Sequence, residues 1–198
     1  MLAAGRAANE KRIPGLFGTV GAGASDFRNQ AAARILESVR VSVLRGNASE
    51  VRFLAGLASE TRGVDASQGD TQDAGNAQVA ARLAGALQCV VAVTGQTDIV
   101  TDGKRIVLIE NGHPMLSCLT GTGCMCSSLV GAFCGASKET PLEATAAALL
   151  SMAIAGELAF EKAGHLGNGS FRVALLDAVS RMDAQTIRER ARMHETTN

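Results

Sequence analysis

The stretch Cys89–Asn111, CVVAVTGQTDIVTDGKRIVLIEN, decides the fold. Its first part, CVVAVTG, is a continuous apolar run of strand length, which suits a sheet covered on both faces. DIVTDGKRIVLIEN then carries two β-rich runs on either side of Asp102 and Gly103. A D-G pair at that place is a hairpin signal, because both residues tolerate the positive φ of a tight turn.

Working outward, strands and helices alternate. VRVSVL, Val39 to Leu44, has the β-branched enrichment of a strand, and RGN turns it into a helix carrying Glu50, Val51, Phe53 and Leu54. Upstream, RIPGLFGTVGAGAS is a short strand candidate feeding a Gly-rich loop, after which Asp26 caps a helix through about Ser38. The first residues, MLAAGRAANEKR, read as the last turns of a helix without a polar cap, so the chain is expected to begin inside an element. A polar loop is expected from Thr61 to Asp70. AGNAQVAARLAGALQ follows as a helix with Val79, Leu83 and Leu87 at helical spacing.

Downstream, PLEATAAALLSMAIAGELAFEKAG predicts one long buried helix with Pro141 at its start. SFRVALLDAVSRM adds an amphipathic helix, and residues 183–198 form a charged tail expected to fray. The alternation predicts an α/β layered fold with a largely parallel central sheet flanked by helices. No linker or repeat divides it, so residues 1–198 read as a single domain.

Composition sets the outer limits. With 198 residues, 46% hydrophobic content and formal net charge +0, the chain can bury a full core and carries no charge excess for nucleic acid or an anionic membrane. Its apolar runs stop short of the roughly 18 residues of a membrane span, and the N-terminus lacks an apolar signal segment, so a cytoplasmic location is expected. Five cysteines without a CxxC pair, and three histidines, point to reduced thiols.

The candidate chemistry gathers in LTGTGCMCSSLVGAFCG, Leu119 to Gly135. Gly121, Thr122 and Gly123 bare the backbone where a helix begins, and free N–H groups at a helix start favour an anion such as phosphate. A tight turn is the alternative reading. Cys124 in the first turn is either a thiol activated by the helix start or a small buried hydrophobe. Cys89, Cys118, Cys126 and Cys134 fit the second description. In RGNASE, Arg45 suits phosphate oxygens and Glu50 suits Mg²⁺ through water; alternatively Asn47 or Ser49 caps the helix and Glu50 complements its dipole. Thr94 ends a buried strand, where its hydroxyl meets a ligand or closes the turn. Asp65, Asp98 and Asp102 read as turn carboxylates, and His113 as a loop hydrogen-bonding group.

Together RGNASE, GVDAS, VAVTGQTDIVTDG, NGHPMLSCLTGTGC and SSLVGAF resemble the hydroxyethylthiazole kinases of thiamine salvage, a family of the ribokinase-like fold. Order and spacing agree from about Ala3 to Leu176. The resemblance implies ATP-dependent phosphorylation of the hydroxyl of 4-methyl-5-(2-hydroxyethyl)thiazole, with Mg²⁺, in a cytoplasmic homotrimer. It further implies that Cys124 is the proton acceptor, that Arg45 and Thr94 bind ATP, and that Gly121 binds substrate. Thr122 and Gly123 would belong to the anion hole, with Glu50 near the metal. Two departures stand out. Family members carry a further N-terminal segment, so the first strands of the sheet are expected to be missing, and they read DPVG where this chain has Gly18 in FGTVGAGAS. A remnant that binds nucleotide or oligomerises without turnover, or a kinase of another small alcohol, are the competing readings.

Overall fold

The computed structural model describes residues 1–56 and 70–197, with residues 70–72 described by backbone alone. The expected polar loop, Asp65 within it and the GVDAS motif thus lie outside the described residues, except for Asp70.

Helices α1 (Leu2–Glu10), α2 (Asp26–Ser38), α3 (Ala48–Leu54), α4 (Asp70–Leu87), α5 (Thr122–Ala136), α6 (Pro141–Ala163), α7 (Asn168–Ser180) and α8 (Ala184–Arg190) surround a sheet of six strands. The strands are β1 (Leu16–Gly18), β2 (Val43–Asn47), β3 (Val90–Thr94), β4 (Asp98–Thr101), β5 (Arg105–Ile109) and β6 (Met193–Thr197), in that spatial order. β1, β2 and β3 pair in parallel, and the remaining three pairings are antiparallel. β5 therefore shares the direction of the first three, and β4 and β6 run against them.

Both faces of the sheet are covered along β2 to β5. Val43, Val90, Ala92, Val100 and Val107 face one cluster with α5, α6 and α7, whereas Leu44, Val91, Val93, Ile99 and Ile106 face another with α4. Neighbouring residues alternate between the clusters because strand side chains alternate between faces. That two-sided demand is why β3 is apolar from Val90 to Val93, before Thr94 ends it. α6 is buried along most of its length, which also explains why the described residues' one helix long and apolar enough to cross a membrane is a core helix here.

Three expectations need correction. β2 starts at Val43 rather than Val39 and runs through Arg45 to Asn47, where RGN ends the strand and Asn47 caps the helix that follows. Ser25, not Asp26, caps α2, its Oγ accepting from the Arg28 N–H; Asp26 takes the first helical position, where its charge suits the dipole. The hairpin forms where the D-G pair predicts it, closing over three residues with Asp102 Oδ1 accepting from the Lys104 and Arg105 N–H groups.

The third correction concerns residues 183–198. They do not fray through 197: α8, capped by Asp183, leads into β6, which pairs with all five residues of β5. Every residue of β6 is exposed, so no apolar pattern marks it in sequence. Its anchors are charges brought from elsewhere in the chain, Arg105 to Glu195 at 2.7 Å and Arg192 to Glu157 at 2.6 Å.

Candidate active site

The carboxyl ends of β2 and β3 open into a cleft of about 760 Å³, the place where α/β sheets hold ligands. Arg45, Thr94, Asp98, Asn111, His113, Thr122 and Gly123 are among its lining residues. Four of the residues singled out from sequence, Arg45, Thr94, Thr122 and Gly123, are thus brought together from three elements.

Arg45 lies at the centre. Its Nη2 donates to Thr94 Oγ1 at 2.6 Å and its Nη1 to the Gly123 carbonyl at 3.3 Å. Thr94 Oγ1 in turn donates to the Gly46 carbonyl at 3.3 Å. A Cβ on Gly123 would come within 2.9 Å of Arg45 Nη1, so only glycine lets α5 approach the guanidinium this closely. Arg45 Nε is buried with no hydrogen-bond partner, and among the described residues no carboxylate forms an ion pair with this side chain. A buried cation with unused donors is costly in isolation. Neutral oxygens hold it in place and leave its charge for an anion from outside.

α5 supplies more donors. Its N-cap, Gly121, sits at φ +94, a left-handed conformation natural to glycine, and contributes no side-chain cap. The first-turn N–H groups therefore lack an intrahelical acceptor and present the positive end of the helix. Thr122 Oγ1 donates to the carbonyls of Leu116 and Leu119 at 3.1 and 3.2 Å, fixing the approach to the helix. Cys124 is exposed on that same first turn; neither it nor Gly121 belongs to the cleft lining.

Glu50 is placed differently. It lines a second cleft of about 420 Å³ with Gly21, Ala22, Gly23 and Asn47. Its Oε2 accepts from the Asn47 N–H at 2.9 Å and from Thr19 Oγ1 at 3.3 Å, while Oε1 accepts from the Gly21 N–H at 2.7 Å. Asn47 Oδ1 accepts from the Glu50 N–H at 2.9 Å, completing a reciprocal capping box. Gly18, beside Arg45 in the sheet, adds no carboxylate. Among the described residues no group of three His, Cys, Asp or Glu could hold a metal ion. The donor set does not make a cation site from protein side chains alone, and leaves Glu50 Oε1 a lone pair for water.

From sequence Asp98 reads only as a turn residue. Its Oδ1 accepts from the Gly95 N–H at 2.9 Å, which is a turn role, yet the carboxyl also faces the cleft. Burial pushes it up to about 6, against the Gly95 N–H and the Arg45 charge. Cys126, also in the lining, is pushed up to about 11 by burial despite Arg45, so its thiol stays neutral. His113 stacks on Phe160 with ring centroids 3.6 Å apart, and its Nδ1 accepts from the Met115 N–H at 3.2 Å. Asn111 reaches the lining from the end of the hairpin, and in sequence it is marked only as the first residue of the NGHP motif.

A family model for the hydroxyethylthiazole kinase family matches residues 1–185. Two hydroxyethylthiazole kinases, from Ruminiclostridium cellulolyticum and Clostridium beijerinckii, are each 50% identical to this chain, over 195 and 198 residues; both alignments cover 98% of this chain and 71% of the relative. The solved structure of a hydroxyethylthiazole kinase protein from Pyrococcus horikoshii superposes with a TM-score of 0.85 at 35% identity, covering 98% of this chain and 70% of that one.

Proposed function

This chain belongs to the hydroxyethylthiazole kinase family, and from that premise we propose how its cleft carries out the family's reaction. The reaction transfers the terminal phosphoryl of ATP to the hydroxyl of 4-methyl-5-(2-hydroxyethyl)thiazole, a step of thiamine biosynthesis. The observation that carries the reading is Arg45: a half-buried guanidinium held by neutral oxygens, with a buried Nε left unpartnered beside a helix start.

Arg45 binds the phosphates of ATP, and Thr94 orients it. The N–H groups at Thr122 and Gly123 stabilise charge on the migrating phosphoryl, because donors fixed in advance need no reorganisation during transfer. Gly121 shapes the substrate side of that turn. Cys124 orients the hydroxyethyl oxygen and takes its proton late, when the O–H has become acidic through bond formation to phosphorus. A Mg²⁺ ion brought in with the nucleotide would offset phosphate charge, and Glu50, whose Oε1 keeps a lone pair for water, is the residue that would meet its hydration shell. The working unit is a cytoplasmic homotrimer; exposed Phe27, at 80%, and Val20, at 58%, support a contact surface on the free chain.

Incubation of the purified chain with ATP, Mg²⁺ and the thiazole alcohol should yield ADP and the thiazole phosphate in equal amounts by mass spectrometry. Cys124→Ala should lower kcat by about 10²-fold with ATP affinity preserved. Absence of the phosphate ester, or phosphorylation of a pyrimidine or sugar alcohol instead, would refute the assignment.

A further inference from the structure

Behind the cleft wall lies a carboxylate that phosphoryl transfer does not use. Glu157 on α6 has a side chain only 14% exposed, and three residues converge on it. The Gly112 N–H donates to Oε1 at 2.8 Å, Asn111 Nδ2 to Oε1 and Oε2 at 3.1 and 3.3 Å, and Arg192 Nη2 to Oε1 at 2.6 Å. Burial alone would raise this carboxyl, but those donors and the Arg192 charge hold it below the usual range.

Asn111, buried to 3% exposure, is fully engaged in turn. Its Nδ2 also donates to the Arg190 carbonyl at 2.9 Å, and its Oδ1 accepts from the Arg192 N–H at 2.6 Å. One turn further along α6, Phe160 supports the His113 ring. Asn111, Gly112 and His113 all line the large cleft. α6 itself is held by buried Ile154, Ala155 and Ala159 and does not require the carboxylate. A nearly buried charge is costly unless its hydrogen bonds are made. Here those bonds go to the cleft wall and to the segment entering β6.

We propose that Glu157 is a positioning residue for nucleotide binding, which fixes the Asn111–His113 wall and, through Asn111 and Arg192, makes that wall depend on the C-terminal strand. The inference rests on the large cleft being the ATP site. Glu157→Gln preserves shape but leaves one acceptor oxygen where three donors meet.

The test is ATP titration of the purified full chain by calorimetry, with turnover kinetics, for the parent, Glu157→Gln, Arg192→Ala and Arg45→Ala. Glu157→Gln should weaken ATP binding about tenfold, and Arg192→Ala, at the exposed strand edge, about threefold, while kcat and the KM for the thiazole alcohol stay within about twofold. Arg192→Ala decides the matter if Glu157→Gln does not fold. Lower melting temperatures with parental ATP affinity in the variants that fold, alongside loss of ATP binding in Arg45→Ala, would overturn the inference and leave the cleft assignment standing. Parental ATP affinity in Arg45→Ala would overturn both.

Discussion

Two charged side chains stand five residues apart at the same end of β2, and they have opposite fates. Arg45 is held by a hydroxyl and a carbonyl, has a buried Nε without a partner, and meets no carboxylate at ion-pair distance among the described residues. Glu50 accepts two backbone N–H groups and a hydroxyl, closing a capping box and tying the Gly-rich loop to α3. A charge whose bonding capacity is left open reads as a binding site. One whose capacity is filled by its own backbone reads first as structure.

The largest effect should come from breaking that contrast directly. Arg45→Ala should weaken ATP binding by about 30-fold or more, since charge-assisted pairs with phosphate are worth roughly 2 kcal/mol. Glu50→Gln should instead cost about 1 kcal/mol of stability in chemical denaturation, with ATP affinity changed less than about threefold. Equal losses of affinity in the two variants would erase the distinction.

The smallest effect concerns Asp98. Its carboxyl titrates near 3.8 ordinarily and at about 6 in the folded chain, so the folded state keeps the proton longer. Stability from this group is therefore full below 3.8 and is lost as pH rises through about 6. Across that window the melting temperature of the parent should fall relative to Asp98→Asn, and the gap should then level off. A gap independent of pH would mean that burial at the cleft wall does not raise the Asp98 carboxyl.

The two regions also differ in how far they could be read from sequence. β3, the Asp102-Gly103 turn and α6 announce themselves through local pattern: an apolar run, a turn dipeptide and a proline before a long apolar segment. RGN and TGTGC place Arg45 and Gly123 at element ends for the same local reason. The Glu157 network joins residues up to 81 positions apart, and β6 is a wholly exposed strand held by distant charges, so neither leaves a periodic trace. Asp98 satisfies a turn rule so well that its second role, facing Arg45, stays hidden until the strands are assembled. Cys124 shows the reverse case. Its place at a helix start is legible, yet it is exposed and outside the cleft lining, and its assignment as proton acceptor rests on the family resemblance rather than on a contact.

A structure of the chain with a non-hydrolysable ATP analogue would show which of the two clefts takes the phosphates. The triphosphate should lie against Arg45, Thr94 and the first-turn N–H groups of α5, with Asn111–His113 along the nucleotide and the Glu50 capping box intact. Phosphates seated instead in the smaller cleft, against Gly21–Gly23 with Glu50 released from its cap, would contradict it.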